Sequence, residues 1–491
     1  MRYLSRRQFL ASTAAAGMLG AGPSLLFSSR PALAMPTTIR AGTRVIEVNG
    51  RPATVFGLTQ PDGSHGLITE AGKSFRVRLQ NQLDEATLIH WHGLIPPWQQ
   101  DGVPNLSQPP LPPGASYDYD FPLTRAGTNW MHSHHGLQEQ RLMAAPLIVR
   151  DSAEAAVDLQ EVVVMFHDFT FRDPIEVLAG LKSGGHGLAH SGPTAAIRGG
   201  QGAPMPSAPM DHAAMGHGPA AAAVHLHDVE YDAFLASDRT MDDPAVFQVE
   251  RGGRVRLRLI NAATATNLWL DLDRLQGLLI AVDGIPVEPT TGSRFEFAIA
   301  QRLDLLINLP REHGAWPVFA VREGDTKRTG FVLATKGSVI ARQSADARHR
   351  ADAVGLQLER RLRAAVPLPQ RTADRRHTVT ITEAPGYVWM LNGAVHGEHK
   401  PLSSRPGERV EITFVDQTTM AHPMHLHGHH FQVVAINGQR FAGAVRDTVL
   451  VPARGSVTIA FDANNPGKWA LHCHHLYHMA AGMMTTVEYE S

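Results

Sequence analysis

EAGKSFRVRLQNQ, residues 70–82, sets a Gly turn at Gly72 before an alternating apolar run, Phe75, Val77 and Leu79, that stops at Asn81. Period-two alternation after a turn predicts a half-buried β-strand. The pattern returns in ERGGRVRLRLINA (250–262), with Gly252, Val255, Leu257, Leu259 and Asn261. It returns again in RPGERVEITFVDQ (405–417), with Gly407, Val410, Ile412, Phe414 and Asp416. Three copies predict three related β-units. Nine and eleven residues past the Asn or Asp, the first copy has His90 and His92 and the third His425 and His427, while the second has Leu270 and Leu272.

A second repeat sorts the units the same way. His132 follows Gly127 by five residues in GTNWMHSH, and His472 follows Gly467 by five in GKWALHCH. In the middle unit Phe319 stands five after Gly314. The outer units therefore supply four His-x-His pairs: His90/His92, His132/His134, His425/His427 and His472/His474. On a strand, residues two apart share one face, so each pair presents two imidazoles together. Their division between the first and third units predicts a shared metal cluster at the interface of the two.

The last pair encloses the only cysteine among 491 residues, Cys473. With no partner for a disulfide inside the chain, its role reduces to packing, nucleophilic chemistry or metal ligation. In LHCHHLYHMAAGMM (471–484), His478 lies five residues after the thiol and Met483 five after that. Thiolate, imidazole and weak thioether make up most of a blue-copper site, and His422, outside the pairs, is left as its second imidazole.

Composition bounds the rest. At about 150 residues per domain the length fits roughly three domains. The formal charge of −1 leaves no electrostatic footprint for nucleic acid or an anionic membrane. Ser5-Arg6-Arg7-Gln8-Phe9-Leu10, a weakly apolar run and Ala32-Leu33-Ala34 look like a twin-arginine signal peptide over 1–34, too short and interrupted to anchor in a membrane. It predicts folded export through the twin-arginine machinery to the periplasm. The expected domains are 37–152, 160–340 and 377–491, with an Arg/Ala-rich, partly helical linker at 341–376. A Gly/Ala/Pro/Met/His-rich segment, about 179–227, reads as a loop of the middle domain in which Met205, Met210, His212, Met215 and His217 are candidate Cu(I) ligands.

In order, HWHG (90–93), HSHH (132–135), HPMHLHG (422–428) and HCHHLYHMAAGM (472–483) resemble the motifs of multicopper oxidases, across nearly the whole mature chain. WMHSHHGLQEQRLMAAPLIV (130–149) and DVEYDAFLASDRTMDDP (228–244) are most similar to the bacterial copper-resistance branch. The resemblance implies an all-β chain of three cupredoxin-like sandwiches holding four coppers. It implies a type 1 site of His422, Cys473, His478 and Met483, and a type 2 site of His90 and His425. The two type 3 coppers would take His92, His132 and His474, and His134, His427 and His472. Asp101, in WQQDGVP, matches an acidic residue that helps deliver protons, whereas Met479 occupies the position where many relatives place a proton-donating Glu. His135, His429, His430 and His475 are read as supporting histidines. A monomer that oxidises Cu(I), or alternatively small phenols, with O2 is expected. A periplasmic copper-storage protein would not need the complete His set, and a two-domain nitrite reductase would lack the surplus pairs.

Overall fold

A computed structural model describes residues 35–153, 157, 159–184 and 225–490. The expected signal peptide and the five candidate Met/His ligands at 205–217 lie outside these residues.

The Gly-turn repeats form the strands Ser74–Asn81, Arg254–Asn261 and Arg409–Asp416. Each has a parallel neighbour on one side, respectively Thr37–Val48, Gln160–Phe169 and Arg375–Ala384. Each has an antiparallel neighbour on the other, respectively Ser116–Pro122, Arg302–Asn308 and Ser456–Asp462. The alternating residues read from the sequence are the buried ones: Phe75, Val77, Leu79, Val255, Leu257, Leu259, Val410, Ile412 and Phe414 are each at most 1% exposed.

The repeat's closing residue shapes the same turn in all three units. Oδ1 of Asn81, Asn261 and Asp416 accepts the amide of Leu83, Ala263 and Thr418. The result is an all-β chain of three cupredoxin-like sandwiches, each with its apolar core between two sheets. At the positions that carry histidine elsewhere, Leu270 and Leu272 pack in the middle core and Phe319 in a smaller cluster with Met241, Val321 and Ala351.

One detail departs from the sequence reading. The helix Pro174–Lys182, capped by Asp173 through the amide of Ile175, runs four residues into the segment expected to loop from 179. Pro174 at its first turn and the Asp173 cap start it; Gly184, at positive φ just past the Ser183 cap, ends it. The 341–376 segment is partly helical, with the five-residue helix Gln357–Arg361. Leu362 joins the middle core, and buried Glu359 pairs with Arg446 of the third unit.

Strand pairing delivers the histidines. His90 sits opposite His132 where Ile89–His90 meets Gly127–Ser133. His425 sits opposite His472, and Met424 opposite Cys473, where His422–Leu426 meets Lys468–Cys473. A two-residue side-chain period then sends His472 to one face and Cys473 to the other.

Candidate metal centres

Eight imidazoles gather between the first and third units, and their ring nitrogens form two compact triads: His92, His132 and His474, and His134, His427 and His472. In each triad the potential donor atoms lie within 4.8 Å of one another. Nε2 of His90 and Nε2 of His425 approach to 3.5 Å beside them. A separate buried group joins His422, Cys473 and His478.

Hydrogen bonds fix which nitrogen of each ring keeps a lone pair. His427 donates from Nδ1 to Oδ2 of Asp101 at 2.8 Å, and His472 from Nδ1 to the carbonyl of Cys473 at 2.9 Å. Their Nε2 atoms nonetheless face each other at 3.0 Å. His90 and His425 donate from Nδ1 to the carbonyls of Asp101 and Asp447, both at 2.8 Å. His92 donates from Nε2 to Asp447 at 3.0 Å, which turns Nδ1 toward Nε2 of His132, 3.4 Å away.

Lone pairs meeting at these distances repel unless a cation lies between them. Metal–nitrogen bonds of about 2.0–2.1 Å at tetrahedral angles would hold the nitrogens about 3.4 Å apart. Burial pushes the basicity of His92, His132, His134, His425, His427 and His474 far down and that of His472 to about 3. The rings are therefore neutral, the form that binds metal.

The cysteine group follows the same logic with softer donors. His478 donates from Nε2 to Oδ2 of Asp228 at 2.8 Å, and His422 from Nε2 to Oγ1 of Thr418, also at 2.8 Å. Their Nδ1 atoms stand 3.2 Å apart and 3.7 and 3.8 Å from Sγ of Cys473. Burial raises the Cys473 thiol, so a thiolate here needs a positive ion to deprotonate it. Met483, fully buried, is tied in by its carbonyl, which accepts from Cys473 at 3.1 Å, and its amide, which donates to His478 at 3.0 Å. A thiolate and two imidazoles with a thioether nearby suit copper.

All twelve residues expected to ligate are thus brought to two neighbouring places, and Asp101 contacts two of them. Among the histidines read as supporting, His429 bonds Tyr489 at 2.6 Å and His430 bonds the carbonyl of Gly93 at 3.1 Å. His135 is half-buried. His475 lies flat on His478, 3.7 Å between centroids.

Other residues were not singled out in the sequence. Glu139, in the turn Gln138–Arg141, places Oε2 3.1 Å from Nδ1 of His132. Burial and the nearby Asp168 push its carboxyl well above the usual range. Like Asp101 and Asp447 it is a carboxyl beside a triad, and no local sequence pattern singles it out. Asp447, Asp228 and Arg302 act through contacts 145 to 355 residues apart, beyond the reach of any local pattern.

Family models described as multicopper oxidase match residues 63–154, 161–338 and 369–491. The chain is 28% identical to the multicopper oxidase MmcO of Mycobacterium tuberculosis, over 99% of this chain and 97% of that protein. It is 26% identical to a copper resistance protein A homolog of Pseudomonas syringae pv. tomato, over 99% of each. The crystal structure of a multi-copper oxidase from Pseudomonas thermotolerans superposes with a TM-score of 0.69 at 23% identity, over 92% of this chain and 98% of that one.

Proposed function

The chain belongs to the multicopper oxidases, copper-dependent oxidoreductases that pass electrons from a reducing substrate to O2, and we propose that its donor is Cu(I), oxidised in the periplasm as part of copper tolerance. Four coppers would be held as follows: one by His422, Cys473, His478 and Met483, one by His90 and His425, and one by each His triad. Copper supplies one-electron redox chemistry in such a protein, with thiolate and thioether suiting a centre that cycles through Cu(I) and imidazoles suiting the oxygen-reducing cluster.

The observation that carries the reading is the position of Cys473 between His472 and His474, which belong to different triads. One residue to either side of the thiol, the backbone reaches each half of the cluster. His472 adds a shortcut by donating to the carbonyl of Cys473. Four electrons are needed to take O2 to two waters, and one-electron donors arrive singly, so a relay into a multi-site cluster matches the stoichiometry. The protein's own contribution is to fix the imidazole tautomers, exclude water and hold carboxyl groups, Asp101 and Glu139, beside the cluster.

Cu(I) as donor draws support from the relative named for copper resistance, from the twin-arginine-like leader and from the Met/His-rich sequence around 205–217, whose soft ligands suit Cu(I). A phenol is the second reading, favoured by a cavity of about 660 Å³ lined by Tyr387, Val388, Met479 and Gly482. Deleting residues 201–220 separates them. Catalytic efficiency for Cu(I) should fall while that for a bulky phenol holds or rises. Loss of phenol oxidation with Cu(I) oxidation intact would favour the laccase-like reading.

A further inference from the structure

Another cavity of about 660 Å³ opens where all three units and the 341–376 segment meet, and it shares no lining residue with the one bounded by Tyr387 and Met479. None of the twelve candidate copper ligands lines it. Its wall is largely apolar, built from Ile95, Ile285 and the run Val366-Pro367-Leu368-Pro369. Val366 is 81% exposed and Ile95 40%. Apolar surface left open around a concave site marks a place for a ligand.

Arg125 is the charge that this lining leaves unbalanced. Its Nη2 donates to Nδ1 of His430 at 3.3 Å, and His430 in turn donates from Nε2 to the carbonyl of Gly93 at 3.1 Å. Among the described residues no carboxylate pairs with the guanidinium, and Asp447, the acid whose field reaches it, is held by Arg302. Burial pushes the pKa of Arg125 down to about 10, so the group stays charged at neutral pH. The other charges around the cavity are engaged or solvated: Arg256 pairs with Asp304 at 2.8 Å, Asp462 with Arg409 at 2.8 Å, and Asp151 is exposed. A guanidinium with five N–H donors and no counter-anion, withdrawn from bulk water, is an anion site in waiting.

We propose that this cavity binds a small arylcarboxylate, its carboxylate on Arg125 and its ring against the wall formed by Val366, Pro367, Leu368 and Pro369. A carboxylate matches the guanidinium fork with two parallel hydrogen bonds, and a flat apolar body matches a wall of proline rings and branched side chains. The volume falls within the range of small-molecule sites. An inorganic anion would leave the apolar wall in water, and a neutral aromatic would leave the cation without a counter-charge. Because no candidate copper ligand reaches the cavity, the ligand binds there without competing with the electron donor.

Cinnamate carries the ring and the carboxylate but no phenol to oxidise. Titrated into the copper-loaded enzyme by calorimetry, it should fill one site per chain. Acetate, which lacks the ring, and cinnamamide, which lacks the charge, should each bind at least about tenfold more weakly. Arg125→Gln should weaken cinnamate by at least about tenfold as well. Val366→Asp, a change to an exposed side chain that leaves the core intact, should also weaken it by setting a like charge at the rim, and without cinnamate it should oxidise the donor at wild-type speed. That variant decides the matter if Arg125→Gln does not fold. No binding to the wild type, or equal affinity in the wild type and the folded variants, overturns the site. Acetate as tight as cinnamate reduces it to a bare anion site, cinnamamide as tight removes the role of Arg125, and competition with the donor moves the ligand to the donor's own cavity; each of these overturns the proposal.

Discussion

Arg302, on a strand of the middle unit, holds Asp447 of the third through paired hydrogen bonds, 2.8 Å from Nη1 to Oδ1 and a second from Nη2 to Oδ2. Asp447 accepts from Nε2 of His92 in the first unit, and its backbone carbonyl accepts from His425. The middle unit, which contributes none of the eight clustered imidazoles, thus helps to orient those of the other two. The guanidinium also donates to the carbonyls of Thr128 and Asp283, so one fully buried side chain joins all three units.

Arg302→Met should therefore cost more than packing. It strands the Asp447 carboxylate, which Arg302 holds well below its usual range, and breaking a buried pair from one side costs roughly 3–5 kcal/mol. Denaturation should show that loss, and metal analysis should show reduced copper where His92 is displaced. Adding Asp447→Asn should recover part of the stability but not the copper. Full copper content in Arg302→Met would show that Asp447 holds His92 unaided.

The three-unit β architecture was legible because a buried strand writes its period and its closing turn into neighbouring residues, as Val255, Leu257, Leu259 and Asn261 do. The candidate ligands were legible because each His-x-His pair is local in sequence, although only its first histidine lies on the strand, and His92, His134, His427 and His474 stand just past the strand ends. Glu139, Asp228, Asp447 and Arg302 were not, since a buried charge is defined by the partner it meets across an interface. The supporting role read for His475 conveyed nothing of its two unpaired nitrogens, which arise from the turn into the helix Leu476–Ala480.

Cys473→Ser tests the softer centre. The hydroxyl is a poor substitute for a thiolate, so the copper-loaded variant should lose the intense visible absorption of thiolate-bound copper and all donor oxidation, while the cluster histidines keep their copper. Retained colour and turnover would exclude Cys473 as a ligand.

The two places should separate cleanly. His92 and His134 belong to different triads, and neither is in the group His422, Cys473 and His478. Replacing both with Ala should stop O2 reduction yet leave a blue centre that a reductant can bleach. Disappearance of the blue band in a folded, copper-loaded variant would overturn this division of ligands.

Asp101 accepts from Nδ1 of His427 through Oδ2, while its other oxygen makes no hydrogen bond and lies 3.3 Å from Nδ1 of His90. Asparagine can keep the accepted bond through its own oxygen but cannot carry a proton. Asp101→Asn should slow reoxidation by O2 by roughly 10²-fold, the lower end for a lost general acid, and leave reduction by the donor much less affected. Stopped-flow reoxidation at wild-type speed across pH would remove Asp101 from proton delivery.

Asp416 stands where the other two units have Asn81 and Asn261, and the asparagines donate from Nδ2 to nearby carbonyls. Ionised, Asp416 has no hydrogen to donate: Oδ1 accepts from Thr418 at 2.7 Å and Oδ2 is buried without a hydrogen bond. Burial raises its pKa to about 7. With the folded value above the unfolded one, the carboxylate costs nothing below pH of about 4, increasingly more up to pH of about 7, and a constant amount beyond. Asp416→Asn should therefore stabilise the protein by an amount that grows between those limits and reaches at most about 4 kcal/mol, the equivalent of three pKa units. Denaturation at matched copper load, compared at pH 5 and pH 8, measures the difference. An equal gain at both would mean that the new amide hydrogen bonds, and not the removed charge, account for it.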